Sequence, residues 1–229
     1  MLKKSLLLFV FLSSTIFSYE DEYLVCIHGF MGAKWNMRFF ERNFEKEGFD
    51  VVRFGYSSRD QIISYHGENL AKELLSLSKK RPGVPIHFVA HSMGGLVLLS
   101  ALNHPLCPNE AKIGKMALVG SPIKGSAWGR KLHDLPFARW LAKDFSGKEL
   151  MTRDNFDYLG KFPDTFEDVI VVAGSFGFNP FLKGTNDGEV LLEETEIDIP
   201  HKRVVKCCGH KSLIFSKRVY IALRNFFRE

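Results

Sequence analysis

Apolar residues gather in six short runs separated by segments of mixed polarity: YLVCI at 23–27, DVVRF at 50–54, PIHFVA at 85–90, KMALVG at 115–120, VIVVAG at 169–174 and RVVKCC at 203–208. Most are apolar at successive positions rather than alternating, as strands of a parallel sheet covered on both faces are. Between them, 60–80 sets Ile63, Leu70, Leu74 and Leu77 on one helical stripe, and 212–227 does the same with Phe215, Val219, Leu223 and Phe226. The stretch MGGLVLLSAL after the third run reads as helix or buried strand. Strand and helix alternate, so the pattern predicts an α/β domain with a mostly parallel sheet of about six strands and right-handed crossovers.

One interval breaks the rhythm. About fifty residues separate the fourth run from the fifth, with Trp128, Phe137, Trp140, Phe145, Phe156, Tyr158, Phe162 and Phe166 among them. A connection of that length carries function or structure of its own. Its aromatics suit either a helical insertion packed on the sheet or a cap, at about 125–166, over an apolar pocket.

The N-terminus changes the picture of the remaining chain. Lys3 and Lys4, an apolar run from Leu6 to Leu12, small polar residues and then acidic residues from Glu20 form the layout of a secretory signal peptide, expected to end at Ser18. The domain is then 19–229 and the protein exported, periplasmic or secreted; an uncleaved anchor is the minority reading, since the run is short for a membrane span. The formal charge of +5 includes those two lysines. The remaining excess is small and scattered, which argues against a nucleic-acid partner and leaves room for peripheral contact with an anionic membrane. The four cysteines, Cys26, Cys107, Cys207 and Cys208, show no CxxC spacing, so buried thiols with at most one bridge are expected, and no metal site or cofactor.

Chemistry concentrates at FVAHSMGGL, where Ser92 stands between the third strand and the following segment. A serine on a sharp strand-to-helix turn presents its hydroxyl above the sheet with a helix N-terminus behind it. Ala90 and Gly94, two residues either side, keep that turn uncrowded. The hydroxyl needs a base and the base an orienting acid. In such sheets active groups collect beyond the carboxyl ends of the strands. His210, just after the last strand, satisfies this; His201 precedes that strand, His87 lies within one, and His91, beside the serine, is expected to support rather than react. For the acid, Asp187 in the turn TNDG follows the fifth strand, with Glu189 and Glu193 also near; Asp168 and Asp198 fall at the wrong end. Amides for a developing oxyanion are expected from Met93, after the serine, and from Phe30 in HGFMG after the first strand.

Taken in order, CIHGFMG, FVAHSMGGL, LVGSPIKGS, NDGEV and CCGHKSL resemble the α/β-hydrolase superfamily, and within it compact bacterial lipases and lipase-like acyl hydrolases. The resemblance runs across about 25–213 and implies a Ser92, Asp187, His210 triad with Phe30 and Met93 as oxyanion donors. The chain departs from larger members in having no room for strands before YLVCI, so their first two strands are expected to be absent and six to remain; no cofactor and hydrolysis of lipid or small acyl esters are expected. Thioester or amide hydrolysis and acyl transfer use the same groups. A binding protein on this scaffold is the alternative of another class, and a thiol activity at Cys208 near His210 a weaker third.

Overall fold

The structure is a computed structural model that describes residues 22–229; the expected signal peptide, 1–18, lies outside the described residues. Six strands, β1 (Tyr23–Ile27), β2 (Asp50–Phe54), β3 (Ile86–His91), β4 (Lys115–Val119), β5 (Asp168–Gly174) and β6 (Lys202–Lys206), form one sheet in the order β2-β1-β3-β4-β5-β6. Every pairing is parallel. The fold is that of the α/β-hydrolases, with six strands as the sequence predicts.

Alternation along the strands divides the apolar core in two. Val25, Ile27, Phe88, Met116, Leu118 and Val171 face one layer, packed with α2 (Ile63–Lys80) and α3 (Met93–Leu102). Leu24, Cys26, Val89, Ala117 and Val172 face the other, packed with α1 (Arg38–Phe44) and α7 (Lys217–Arg228). The central strands β1, β3 and β4 are buried throughout, which is why their apolar residues stand at successive positions instead of alternating with polar ones, apart from the buried His87, His91 and Lys115. The edge strand β6 is mostly exposed or half-buried.

The stretch after Ser92 is helix α3, buried along nearly its whole length. Helix α7 starts later than its apolar stripe suggests. The Ser216 hydroxyl caps it by accepting from the Val219 amide, so Phe215 falls in the preceding 3-10 turn and is exposed, while Val219, Leu223 and Phe226 are buried as expected.

The long interval between β4 and β5 divides into unlike parts. Helices α4 (Ala127–His133), α5 (Pro136–Ala142) and α6 (Ser146–Thr152) pack mainly on one another around Ala138, Ala142 and Met151, with Leu132 against them. The rest returns across the sheet and buries Phe156, Leu159, Phe162 and Phe166 in the α2–α3 layer. Among the described residues no helix is long and apolar enough to cross a membrane.

Candidate active site

The order of the strands brings the candidate groups together. With β3 between β1 and β4, the turn after β3 lies between the loops that follow both neighbours. The Ser92 amide donates to the Val119 carbonyl at the end of β4 (3.0 Å). Ser92 itself holds φ 54° and ψ −130°, a region costly for any residue with a side chain and one that marks functional turns. A methyl group at Gly29 would stand 2.7 Å from Ser92 Cβ, so the β1 loop passes against the serine. Gly94 is crowded as the sequence predicts, and the nearest neighbours lie at the end of β1: a Cβ there would stand 2.6 Å and 2.7 Å from the His28 and Ile27 carbonyl oxygens.

His210 stands in the turn after β6, with its Nε2 2.9 Å from Ser92 Oγ and its Nδ1 2.8 Å from Asp187 Oδ2. The other oxygen of Asp187 accepts the amides of Glu189 (3.0 Å) and Val190 (2.8 Å), and its backbone carbonyl accepts the His210 amide (2.8 Å). Acid and base are thus tied by main chain as well as side chain. Burial works against charging the His210 imidazole, but the hydrogen bond and charge of Asp187, aided by Glu189 and opposed by Lys211, hold its pKa above the usual imidazole value. His91 packs against His210, ring centroids 4.9 Å apart, with its Nε2 3.2 Å from the His210 carbonyl oxygen. Burial, with the neighbouring His210, pushes the His91 pKa down to about 3, so His91 is neutral and donates that bond.

The rival candidates fall elsewhere. Glu189 reaches within 3.8 Å of His210 Nε2, not Nδ1; Glu193 is exposed on a 3-10 turn; Asp198 pairs with Lys124 on the surface. His87 is buried between Glu22 and the Lys115 amide, and His201 accompanies Glu196. All four cysteines are free, and Cys208 directs its sulfur toward Ser216 (3.4 Å), which removes it from His210.

Phe30 and Met93 flank Ser92, and among the described residues no hydrogen bond uses the amide of either. The Phe30 loop is braced from outside. The Tyr56 hydroxyl donates to the His28 carbonyl (2.7 Å), the Tyr56 ring stacks on His28, and the Met31 amide donates to Ser58 Oγ (2.9 Å). Ser146 at the start of α6 donates its hydroxyl to the Ser58 carbonyl, and Glu149 accepts the Ile63 amide (2.7 Å) and the Tyr158 hydroxyl (2.6 Å). The helical insertion is therefore hydrogen-bonded to the segment that supports the Phe30 loop. Single polar residues of this kind carry no sequence signal, and Ser58, Ser146 and Glu149 were not anticipated.

Above Ser92 opens a cavity of about 230 Å³ whose walls are Phe30, Met31, Pro122, Trp128, Leu132, Ala138, Leu150, Met151 and Val190, with Glu189 and Lys211 at its polar edge. Of the aromatics expected in the cap, only Trp128 lines it among the described residues, stacked on Phe181 (6.0 Å) from the loop after β5. Phe156, Phe162 and Phe166 are core, whereas Phe137 and Trp140 are exposed and stacked together on α5. Among the described residues no three His, Cys, Asp or Glu side chains are grouped as metal ligands would be.

The stretch 18–120 matches the family described as "Putative serine esterase (DUF676)". It includes the Phe30 loop and Ser92 and stops before the turns that carry Asp187 and His210. Over 82 residues the chain is 30% identical to the uncharacterized hydrolase YugF of Bacillus subtilis; the match takes in 34% of this chain and spans 30% of that relative. Among solved structures, mature lipase BlEst2 of Bacillus licheniformis superposes with a TM-score of 0.65 at 18% identity, covering 89% of this chain and 91% of the lipase. Phospholipase PlaB of Legionella pneumophila superposes with a TM-score of 0.63 at 11% identity, covering 89% of this chain and 58% of the phospholipase.

Proposed function

We propose that this chain of α/β-hydrolase fold, similar to serine esterases and lipases, is an exported serine hydrolase that cleaves carboxylic esters of apolar acyl chains through an acyl-enzyme. The observation that carries the reading is the unbroken line of hydrogen bonds from Ser92 Oγ through His210 to Asp187 at the floor of an apolar cavity.

In this mechanism the acyl chain lies against Trp128, Leu132, Leu150 and Met151, and the ester carbonyl carbon rests on Ser92 Oγ. His210 Nε2 takes the hydroxyl proton as Oγ attacks, and Asp187 stabilises the imidazolium that forms. The carbonyl oxygen, now negative, accepts from the Met93 and Phe30 amides. Each such donor is worth about 3 kcal/mol in the transition state. Nε2 returns the proton to the departing alkoxide, which leaves as an alcohol. Water then repeats the sequence on the acyl-serine and releases the acid. The apolar wall favours fatty-acyl substrates over short polar acids, and thioesters differ only in their leaving group.

A fluorophosphonate probe and an acyl-length series of p-nitrophenyl esters test the reading. Labelling of the intact chain at Ser92 is expected, with hydrolysis lost by several orders of magnitude in Ser92→Ala. Hydrolysis that survives in Ser92→Ala would refute it. A folded protein that neither labels nor turns over any ester would instead favour a binding role on the same scaffold.

A further inference from the structure

Among the described residues His210 is faced by Asp187, Glu189, Lys211 and the ring of His91, and Glu189 is the carboxylate on the wrong nitrogen for an orienting acid. Its Oε2 lies 3.8 Å from His210 Nε2, the atom that meets Ser92 Oγ, while Asp187 occupies the Nδ1 side. In the serine-hydrolase reading, on which this inference rests, the leaving oxygen collects its proton from that same Nε2 and must come within about 3 Å of it. A carboxylate 3.8 Å from Nε2 that lines the same cavity is therefore within reach of a group carried next to the leaving oxygen.

We infer that Glu189, together with Lys211, is a specificity-determining element for the leaving alcohol and selects neutral alcohols that bear further hydroxyl groups, glycerol-like rather than simple alkyl. The cavity is asymmetric in the required way. Its walls toward the insertion are apolar, and its charged side chains are Glu189 and Lys211, on the side of Ser92 where His210 stands. Glu189 is held by its own backbone, whose amide donates to Asp187 Oδ1 (3.0 Å), so the carboxylate projects from a fixed turn. With 41% of its side chain exposed it is open to water and to a ligand. Lys211 Nζ lies 3.7 Å from Glu189 Oε1 and is almost wholly exposed, so the ammonium and carboxylate form a loose pair instead of a closed one.

A carboxylate only accepts hydrogen bonds and an ammonium only donates them. A hydroxyl next to the leaving oxygen does both, giving its proton to Glu189 and accepting from Lys211. An alkyl group offers neither and would strip water from the carboxylate without replacing it. A phosphate-bearing alcohol would meet the like charge of Glu189 beside the opposite charge of Lys211, and a quaternary ammonium the reverse with no proton to give, so for either the two charges offset. The negative charge of Glu189 also favours the imidazolium of His210, but that effect is common to every substrate and cancels when two alcohols are compared on one enzyme.

The test is the ratio of kcat/KM for glyceryl monobutyrate over propyl butyrate, with glycerol phosphate monobutyrate as a third substrate, in the full exported chain and in Glu189→Leu, Glu189→Gln and Lys211→Met. The wild type is expected to prefer the glyceryl ester about tenfold, the size of one hydrogen bond to an exposed charged group. Glu189→Leu should bring the ratio to within twofold of one whatever the absolute rates, and Glu189→Gln, which keeps an acceptor, should retain part of it. Should the leucine variant fail to fold, a glutamine variant with the full wild-type ratio would overturn the inference. A wild-type ratio near one, an unchanged ratio in Glu189→Leu, or a preference for the phosphate-bearing ester would also overturn it. If neither butyrate is hydrolysed, or hydrolysis survives in Ser92→Ala, it is the underlying serine-hydrolase reading that fails.

Discussion

Replacing Asp187 with asparagine keeps the size and shape of the side chain but removes its charge and turns one acceptor into a donor. The amide oxygen can keep the place of Oδ1, which accepts the Glu189 and Val190 amides, while the amide NH2 takes the place of Oδ2, 2.8 Å from His210 Nδ1. A donor in that position requires Nδ1 to be the bare nitrogen of the ring, so the imidazole proton moves to Nε2. Nε2 then presents N–H to Ser92 Oγ at 2.9 Å and has no lone pair with which to take the hydroxyl proton. Where the same exchange has been made in a serine, histidine and aspartate site, kcat falls about 10⁴-fold, equivalent to about 5.5 kcal/mol of barrier. A loss of that order is expected here, with KM little changed, because Asp187 is buried behind the base and does not line the cavity.

The pH dependence supplies a second reading of the same variant. Asp187 holds the His210 pKa above its ordinary 6.5 against the effect of burial, and the base works only when neutral. Wild-type activity is therefore lost as pH falls through that raised value, and removing the carboxylate should move the acid limb to lower pH. Initial rates of butyrate ester hydrolysis in a pH-stat, for wild type, Asp187→Asn, Ser92→Ala and the double variant, measure both effects. If the three groups act as a unit, the double variant is no slower than Ser92→Ala alone. Asp187→Asn with kcat within tenfold of wild type and an unmoved acid limb would refute the assignment.

Three further outcomes follow from the geometry. Gly94→Ala places a methyl within 2.7 Å of two backbone carbonyl oxygens of β1 and its loop, which cannot swing aside as a side chain would, so a loss of about 1–3 kcal/mol and a clearly lower Tm in thermal unfolding are expected; an unchanged Tm would mean the turn is not crowded. His91 has its pKa lowered to about 3 in the folded chain by burial and by His210, so the unfolded chain binds the extra proton first as pH drops below about 6.5, and stability is lost at about 1.4 kcal/mol per pH unit from this group. Urea unfolding between pH 6.5 and 4.5 should show a shallower decline in His91→Gln, and equal slopes would count against a neutral buried His91. Finally, if the chain is exported as proposed, the mature protein should begin at Tyr19 by mass spectrometry; a retained leader would instead support an N-terminal anchor.

What the sequence discloses and what it withholds follow from how each feature is encoded. β1, β3 and β4 are covered on both faces, so burial alone writes their positions into the chain, whereas edge strand β6 is mostly exposed and its last two expected residues, Cys207 and Cys208, lie beyond the ladder. The same signal misleads between β4 and β5, because an apolar residue reads alike whether it fills the core, as Phe156 does, or lines a cavity, as Trp128 does. Ser92, Asp187 and His210 could be named because a parallel sheet delivers the turns after β3, β5 and β6 to one edge whatever the loops do. Ser58 and Glu149 could not, and Glu189, legible only as a rival acid to Asp187, could not be placed on the Nε2 side, since each depends on which loops meet. Ser58 matters because it touches Met31 from 27 residues away and Ser146 from 88. Glu189 illustrates the limit most sharply. One turn presents Asp187 to Nδ1 and Glu189 toward Nε2, and only the path of that turn around the imidazole separates a carboxylate that orients the base from one that meets the departing alcohol.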